Sequence, residues 1–184
     1  MKDSAIDAQV VQPYAEALMS VARSQDRTEQ VGEDVRSLLN LLQNSEQLRD
    51  FLANPFVKAE DKKNVIGQIV GESSSYLRNF MMLLVDRRRI LLLEAICQEY
   101  LALLRQLNQT VLAEVTSAVE LSAEQQQAVR EKVKGMTNAR EIELNTKIDS
   151  DLIGGVIIKV GSRVIDASLR GQLRRLSLRL SSGT

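Results

Sequence analysis

Near Asn108 the apolar residues of this chain stop recurring at threes and fours and begin to alternate. No other feature constrains the fold as strongly, because a 3.6-residue period builds one face of a helix and a period of two builds one face of a strand. A mainly α chain is expected, with a six-helix bundle over residues 1–106 and a small α+β domain, in the order β-α-β-β-α, over residues 107–184.

Before the change, Val10, Tyr14, Ala17, Leu18 and Val21 mark a first helix, and Val31, Val35, Leu38, Leu39 and Leu42 a second. A short helix ends at Asn54-Pro55, and another runs through KAEDKKNVIGQIV with its acids in the first turn, where the helix dipole favours them. GESSS marks a break. A fifth helix follows from about Tyr76 to Asp86, then a long one from Leu91 to Leu107 striped by Leu93, Ile96, Tyr100, Leu103 and Leu107.

After the change, Val111, Ala113, Val115 and Val119 share one strand face, while Ile142, Leu144 and Ile148 alternate with Glu141, Glu143, Asn145 and Lys147. Between these strands SAEQ is a capping box in which Ser122 and Gln125 satisfy free backbone N–H groups, ahead of a helix with Val129, Val133 and Met136 turned inward. GVIIKVGSRVID predicts a hairpin closed by Gly161-Ser162. Asp166 or Ser168 can then cap a last helix, striped by Leu169, Leu173, Leu176 and Leu180 and otherwise covered by Arg170, Arg174, Arg175 and Arg179.

Composition narrows the chemistry. The chain has no histidine, so hydrolytic triads and zinc sites are poor candidates. Its lone Cys97 has no partner for an internal disulfide and, among apolar neighbours, reads as a small core hydrophobe. With 24 basic and 24 acidic residues, no net field draws the molecule to nucleic acid or an anionic membrane. The start, MKDSAIDAQVV, has the acids that a signal or transit peptide lacks and reads as a mature soluble chain. FMMLLV and ILLLEAIC are far shorter than the ~20 apolar residues a membrane helix needs.

The glycine-rich stretch is not a phosphate loop: Lys159 precedes Gly161, whereas a P-loop lysine follows its second glycine at a helix mouth. Gly154-Gly155 instead suits a tight approach of backbone. Glu141 and Glu143 are spaced for paired carboxylate chemistry, but alternation with apolar residues makes them a solvated face. Arg87, Arg88 and Arg89 suit the negative end of the fifth helix, with a phosphate or an acidic partner as the alternative. No catalytic, cofactor or metal site is expected. The arginine-rich last helix leaves an RNA-binding or ribosome-associated adaptor as the alternative class, although stacking aromatics and a GxxG loop are missing.

FMMLLV is the exception to the amphipathic rule, being apolar all round. The first helix is similarly broad: Val10, Tyr14, Ala17 and Val21 lie on one side, with Val11, Ala15, Leu18 and Ala22 beside them. Two such helices side by side either close into core or make a groove for a third, and the Met81-Met82 pair would suit an adaptable surface.

Three blocks resemble a known family: VVQPYAEAL at the start, FLANPFV in the middle, and IDSDLIGGVIIKVGSRVIDASLRGQLRRL at the end. They are similar to the delta subunit of F-type ATP synthase, whose mitochondrial counterpart is the oligomycin-sensitivity-conferring protein, over nearly the whole chain. DRRRILLLEAICQEYLALLRQLNQTVLAEV resembles the cyanobacterial and plastid branch. The resemblance implies a non-catalytic stator, one copy per complex, that holds the alpha-beta head still against the torque of the rotor. It implies that the first and fifth helices grip the N-terminal helix of an alpha subunit, through Val10, Tyr14, Ala17, Leu18, Phe80, Leu83 and Leu84, with Arg87 near the groove's end. It implies too that the second domain joins the b-type subunits of the peripheral stalk, through Leu173, Arg174, Leu176 and Leu180. Nucleic acid would not be a partner. Membrane association would come only through the complex, on the side of the catalytic head: the cytoplasmic face of a bacterial plasma or thylakoid membrane, or the stromal face in a plastid.

Overall fold

The computed structural model describes residues 3–70, 75–137 and 139–181, apart from the side chains of 3–8 and 176–181. The chain divides into two compact units, residues 1–104 and 105–184.

The first unit is helical. Its elements are α1 (Asp3–Ser24), α2 (Thr28–Asn44), α3 (Glu46–Ala53), α4 (Ala59–Val70) and α5 (Ser75–Asp86), then a 3-10 turn (Ile90–Leu92) that leads into α6 (Leu93–Leu107). Helix starts and stops follow local chemistry. Ser45 caps α3 by accepting the Leu48 N–H at 3.2 Å, and α3 ends before Pro55, which disfavours helical conformation in the residue ahead of it. α1 and α5 both reverse through a non-glycine residue of positive φ, Asp26 at 53° and Arg88 at 56°. In each, the next N–H reaches back five residues, Arg27 to the Ala22 carbonyl at 2.9 Å and Arg89 to the Leu84 carbonyl at 2.8 Å. This Schellman closure satisfies the last carbonyls of the helix. The arginine triplet is therefore the reversal after α5 rather than its last turn.

One apolar core joins these helices. The α2 stripe of Val31, Val35, Leu38, Leu39 and Leu42 is buried throughout, as its spacing requires. Along α6 the buried set is Leu93, Ile96, Cys97, Tyr100, Leu101 and Leu104, and the expected stripe is corrected at Leu107, which is exposed beyond the bundle. Tyr100 donates its hydroxyl to the Thr28 carbonyl at 3.0 Å, so a buried polar group is satisfied. Burial, with Glu29 nearby, pushes its pKa up to about 12.

The second unit contains β1 (Thr110–Ser117), α7 (Ala123–Thr137), β2 (Glu141–Ile148), β3 (Val156–Val160), β4 (Arg163–Asp166) and α8 (Leu169–Ser181). The sheet order is β2-β1-β3-β4. β1 and β2 are parallel, with α7 as their crossover, and the β1–β3 and β3–β4 pairs are antiparallel. The mainly α architecture with a small β-α-β-β-α unit is the expected one. Registers of Ala113 with Leu144 and Val115 with Ile158 put the alternating residues on one face, where Val129 and Val133 complete the core. Three expected core positions are corrected. Met136 is exposed in the last turn of α7, Ile148 is exposed at the end of β2, and Val119 lies past the end of β1, where Ser117 donates its hydroxyl to the Val119 carbonyl at 2.7 Å and the chain turns away.

The capping box forms reciprocally, with the Ser122 N–H on Gln125 Oε1 at 2.9 Å and the Gln125 N–H on Ser122 Oγ at 3.3 Å. Gly161 and Ser162 make the hairpin turn, Gly161 at φ 57°. Gly155 has φ 80°, and a Cβ there would overlap the Ala167 carbonyl, which explains the double glycine as close backbone approach. Before α8 both anticipated caps act in series: Asp166 Oδ1 accepts the Ser168 N–H at 2.9 Å and hydroxyl at 2.6 Å, and Ser168 Oγ accepts the Gly171 N–H at 3.0 Å. Those two bonds from Ser168, with Arg175 nearby, hold the Asp166 carboxyl below its ordinary range.

Candidate functional site

On α1, successive apolar residues take opposite sides of the helix wall. Val11, Ala15, Leu18 and Ala22 are buried in the core, whereas Ala17 and Val21 are exposed and Val10 and Tyr14 half-buried. On α5, Leu77, Phe80, Met81, Leu84 and Val85 are buried, leaving Tyr76, Asn79 and Leu83 toward solvent. A cavity of about 410 Å³ opens between the two helices, floored by Leu18 and Phe80 and walled by Pro13, Tyr14, Ala17 and Val21 on one side and Tyr76, Asn79 and Leu83 on the other.

Both ends of this groove are pinned. Tyr14 meets Phe80 edge to face, with ring centroids 6.2 Å apart. The Arg89 guanidinium donates to the Tyr14 hydroxyl at 2.6 Å and lies 5.3 Å from the ring centroid, a cation–π contact that holds the ring upright. At the far end Tyr76 donates its hydroxyl to Gln25 Oε1 at 3.2 Å, so α1 and α5 run antiparallel along the groove. Pro13 lines the wall from inside α1, where its ring replaces the N–H that would bond the carbonyl four residues back.

Of the residues expected here, Tyr14, Ala17, Leu18, Phe80 and Leu83 line the groove together. Leu84 is corrected: it is 0% exposed, because a step of one residue along α5 turns the side chain about 100° into the bundle. Val10 packs half-buried one turn beyond the lining, and Arg87 is exposed outside it; the arginine that reaches the groove is Arg89. Met81 is core and Met82 half-buried, and neither lines the groove. The expected set omitted Pro13, Val21, Tyr76 and Asn79, of which Val21 was legible in the α1 stripe.

In the second unit Leu173 and Arg174 are exposed on α8, while the side chains of Leu176 and Leu180 lie outside the described residues. Glu141 is exposed, as a solvated face requires, whereas Glu143 is half-buried and meets the Arg105 guanidinium at 3.4 Å. Cys97 is fully buried, and burial with Glu94 nearby raises its thiol to about 12, far from a nucleophile's range. Among the described residues no group of three or more His, Cys, Asp or Glu could hold a metal, and no helix is long and apolar enough to cross a membrane.

Comparison with known proteins places the chain in a family. The family model for the ATP synthase delta (OSCP) subunit matches residues 10–180. The ATP synthase subunit delta of Trichormus variabilis is 65% identical over 182 residues, covering 99% of this chain and 100% of its own. That of Nostoc punctiforme is 64% identical over 176 residues, 95% of this chain and 96% of its own. A chain in the cryo-EM structure of the Toxoplasma gondii mitochondrial ATP synthase hexamer superposes with a TM-score of 0.72 at 24% identity, over 92% of this chain and 96% of that one, and so shares the fold. Likeness of this extent lends no support to an RNA-binding adaptor. From the family match and the full-length identity, the chain belongs to the ATP synthase delta (OSCP) subunit family: it is a structural stator subunit of F-type ATP synthase, peripheral in the complex, and not a catalytic one.

Proposed function

We propose that the groove between α1 and α5 takes the N-terminal helix of an alpha subunit and that the second unit joins the b-type stalk subunits, so that one copy of this chain ties the catalytic head to the stalk. The observation that carries the reading is the open apolar lining between two helices that already share a packed core. Such a lining suits an amphipathic helix laid in lengthwise, with anchors at i, i+3, i+4 and i+7. Holding the head requires slow dissociation rather than chemistry. An interface of roughly 1,600 Å² with well-packed apolar anchors can reach nanomolar affinity. Leu18 and Phe80 would take the anchors, while Tyr14, fixed by Arg89, would shape one end.

The proposed position is the head side of the energy-transducing membrane, its cytoplasmic face in a bacterial plasma or thylakoid membrane, reached only through the complex. The test is calorimetric titration of the full chain with a peptide of the cognate alpha subunit's first twenty or so residues, long enough for a helix of about 30 Å. One-to-one saturable binding with a negative heat-capacity change is expected, since apolar surface is buried. Absence of binding by the folded chain would remove the groove from the function.

A further inference from the structure

A second cavity lies on the same unit, away from the groove just described. It measures about 440 Å³, within the ~300–1,000 Å³ of ligand-binding pockets, and none of its lining residues is shared with the first. The end of α3 and the turn after it, the start of α4, the end of α5 and the reversal and 3-10 turn that follow form it. Leu52, Val57, Val85 and Leu91 give it apolar walls, and Lys62 and Arg88 give it two positive charges with no acid in the lining.

Lys62 is only 8% exposed, unusual for an ammonium. It donates to the Leu52 carbonyl at 2.6 Å, and among the described residues it has no carboxylate partner. The nearby acid at the end of α5 is already engaged: Asp86 pairs with Lys63 at 2.6 Å. Arg88 is turned to this side by its positive φ, while the next residue, Arg89, serves the first groove through Tyr14. A single helix reversal thus supplies one arginine to each site.

The rim is apolar and open. Phe56, between two lining residues in the chain, is 92% exposed and Leu91 is 68% exposed, so large apolar groups stand in water beside buried positive charge. The turn that presents Phe56 is held by its N–H on Asn54 Oδ1 at 2.9 Å. Burying apolar side chains alone would leave the ammonium and guanidinium desolvated and unpaired, which is costly. A carboxylate brought in with them would complete the site.

We propose that this cavity is a second docking site, for a peptide segment of another subunit that places an aspartate or glutamate beside apolar side chains. The carboxylate bonds Lys62 and Arg88, and the apolar side chains cover Phe56 and Leu91. None of these four residues lines the first groove.

The test uses the assembled, purified ATP synthase with the photo-crosslinking residue p-benzoylphenylalanine in place of Phe56, and mass spectrometry of the adduct. The expected product joins that position to one segment of another subunit with Asp or Glu a few residues from the crosslinked side chain. Arg88→Gln and Lys62→Met, which keep side-chain bulk, should each lower its yield at least about fivefold, whereas Arg88→Lys should largely preserve it. A crosslinker in place of Val21, in the first groove, should give the same yield in all three variants. No protein adduct, an adduct only with lipid or a second copy of this chain, a segment without an acid, or a yield indifferent to Arg88 and Lys62 would each overturn the proposal.

Discussion

Leu83 and Leu84 are neighbours on α5 with opposite environments, 43% exposed on the groove wall and 0% exposed in the core. Their substitutions should separate binding from folding. Leu83→Asp is expected to leave thermal unfolding nearly unchanged and to weaken the alpha-subunit peptide at least about tenfold, because a charge would be desolvated in an apolar contact. Leu84→Ala should destabilise the fold by about 2–5 kcal/mol through the lost burial and the cavity left behind, read as a fall in melting temperature. Cys97 lies in the core of the first unit. A fully buried thiol raised to about 12 should resist iodoacetamide at pH 8 in the folded chain and react promptly once denaturant unfolds it. The sequence already made that cysteine a core residue, since its neighbours in α6 are apolar. It could not separate Leu83 from Leu84, because FMMLLV is apolar on every side and its period says nothing of which side meets the bundle.

Among the elements, α7 and α8 depend on their caps in ways that can be measured. Ser122→Ala removes an acceptor for the Gln125 N–H and should cost about 1 kcal/mol in denaturant unfolding, with Gln125 left to cap alone. Asp166 is coupled to pH. Its folded pKa is depressed, so its contribution to stability is present above the unfolded value of about 4 and is lost as pH falls through the lower folded value. Amide exchange at Ser168 and Gly171 should therefore accelerate in acid below about pH 4, beyond the intrinsic pH dependence of exchange, and Asp166→Ala should abolish that acceleration. Gly171→Ala should loosen the same end of α8, since a Cβ there would overlap the Asp166 carboxylate. These caps were legible as SAEQ and DAS because they act over two to four residues. The sheet order was not, since β1 pairs with both β2 and β3 and neither partner can be read from alternation alone.

For the whole molecule, the two cores are drawn from separate stretches of chain, one from Val11 to Leu104 and the other from Ala113 to Ile158. A fragment of residues 1–107, ending where α6 ends, should keep its helical circular dichroism and bind the alpha-subunit peptide within about twofold of the full chain, because the groove and its supporting core are complete within it. A large loss would mean that the second unit stabilises the groove. The sequence by itself determined the secondary structure, the change of fold class near Asn108 and the membership of most of the core, because period, caps and turns are local properties of the chain. It also carried the family resemblance, through stretches such as VVQPYAEAL and LIGGVIIKVGSRVID. Only the tertiary structure decided which apolar side of α1 and α5 stays open, that Arg89 rather than Arg87 braces the groove, and that Lys62 and Arg88 share a second cavity. Those are facts about residues far apart in the chain, such as Tyr14 and Arg89, and packing has to bring such pairs together before their chemistry exists.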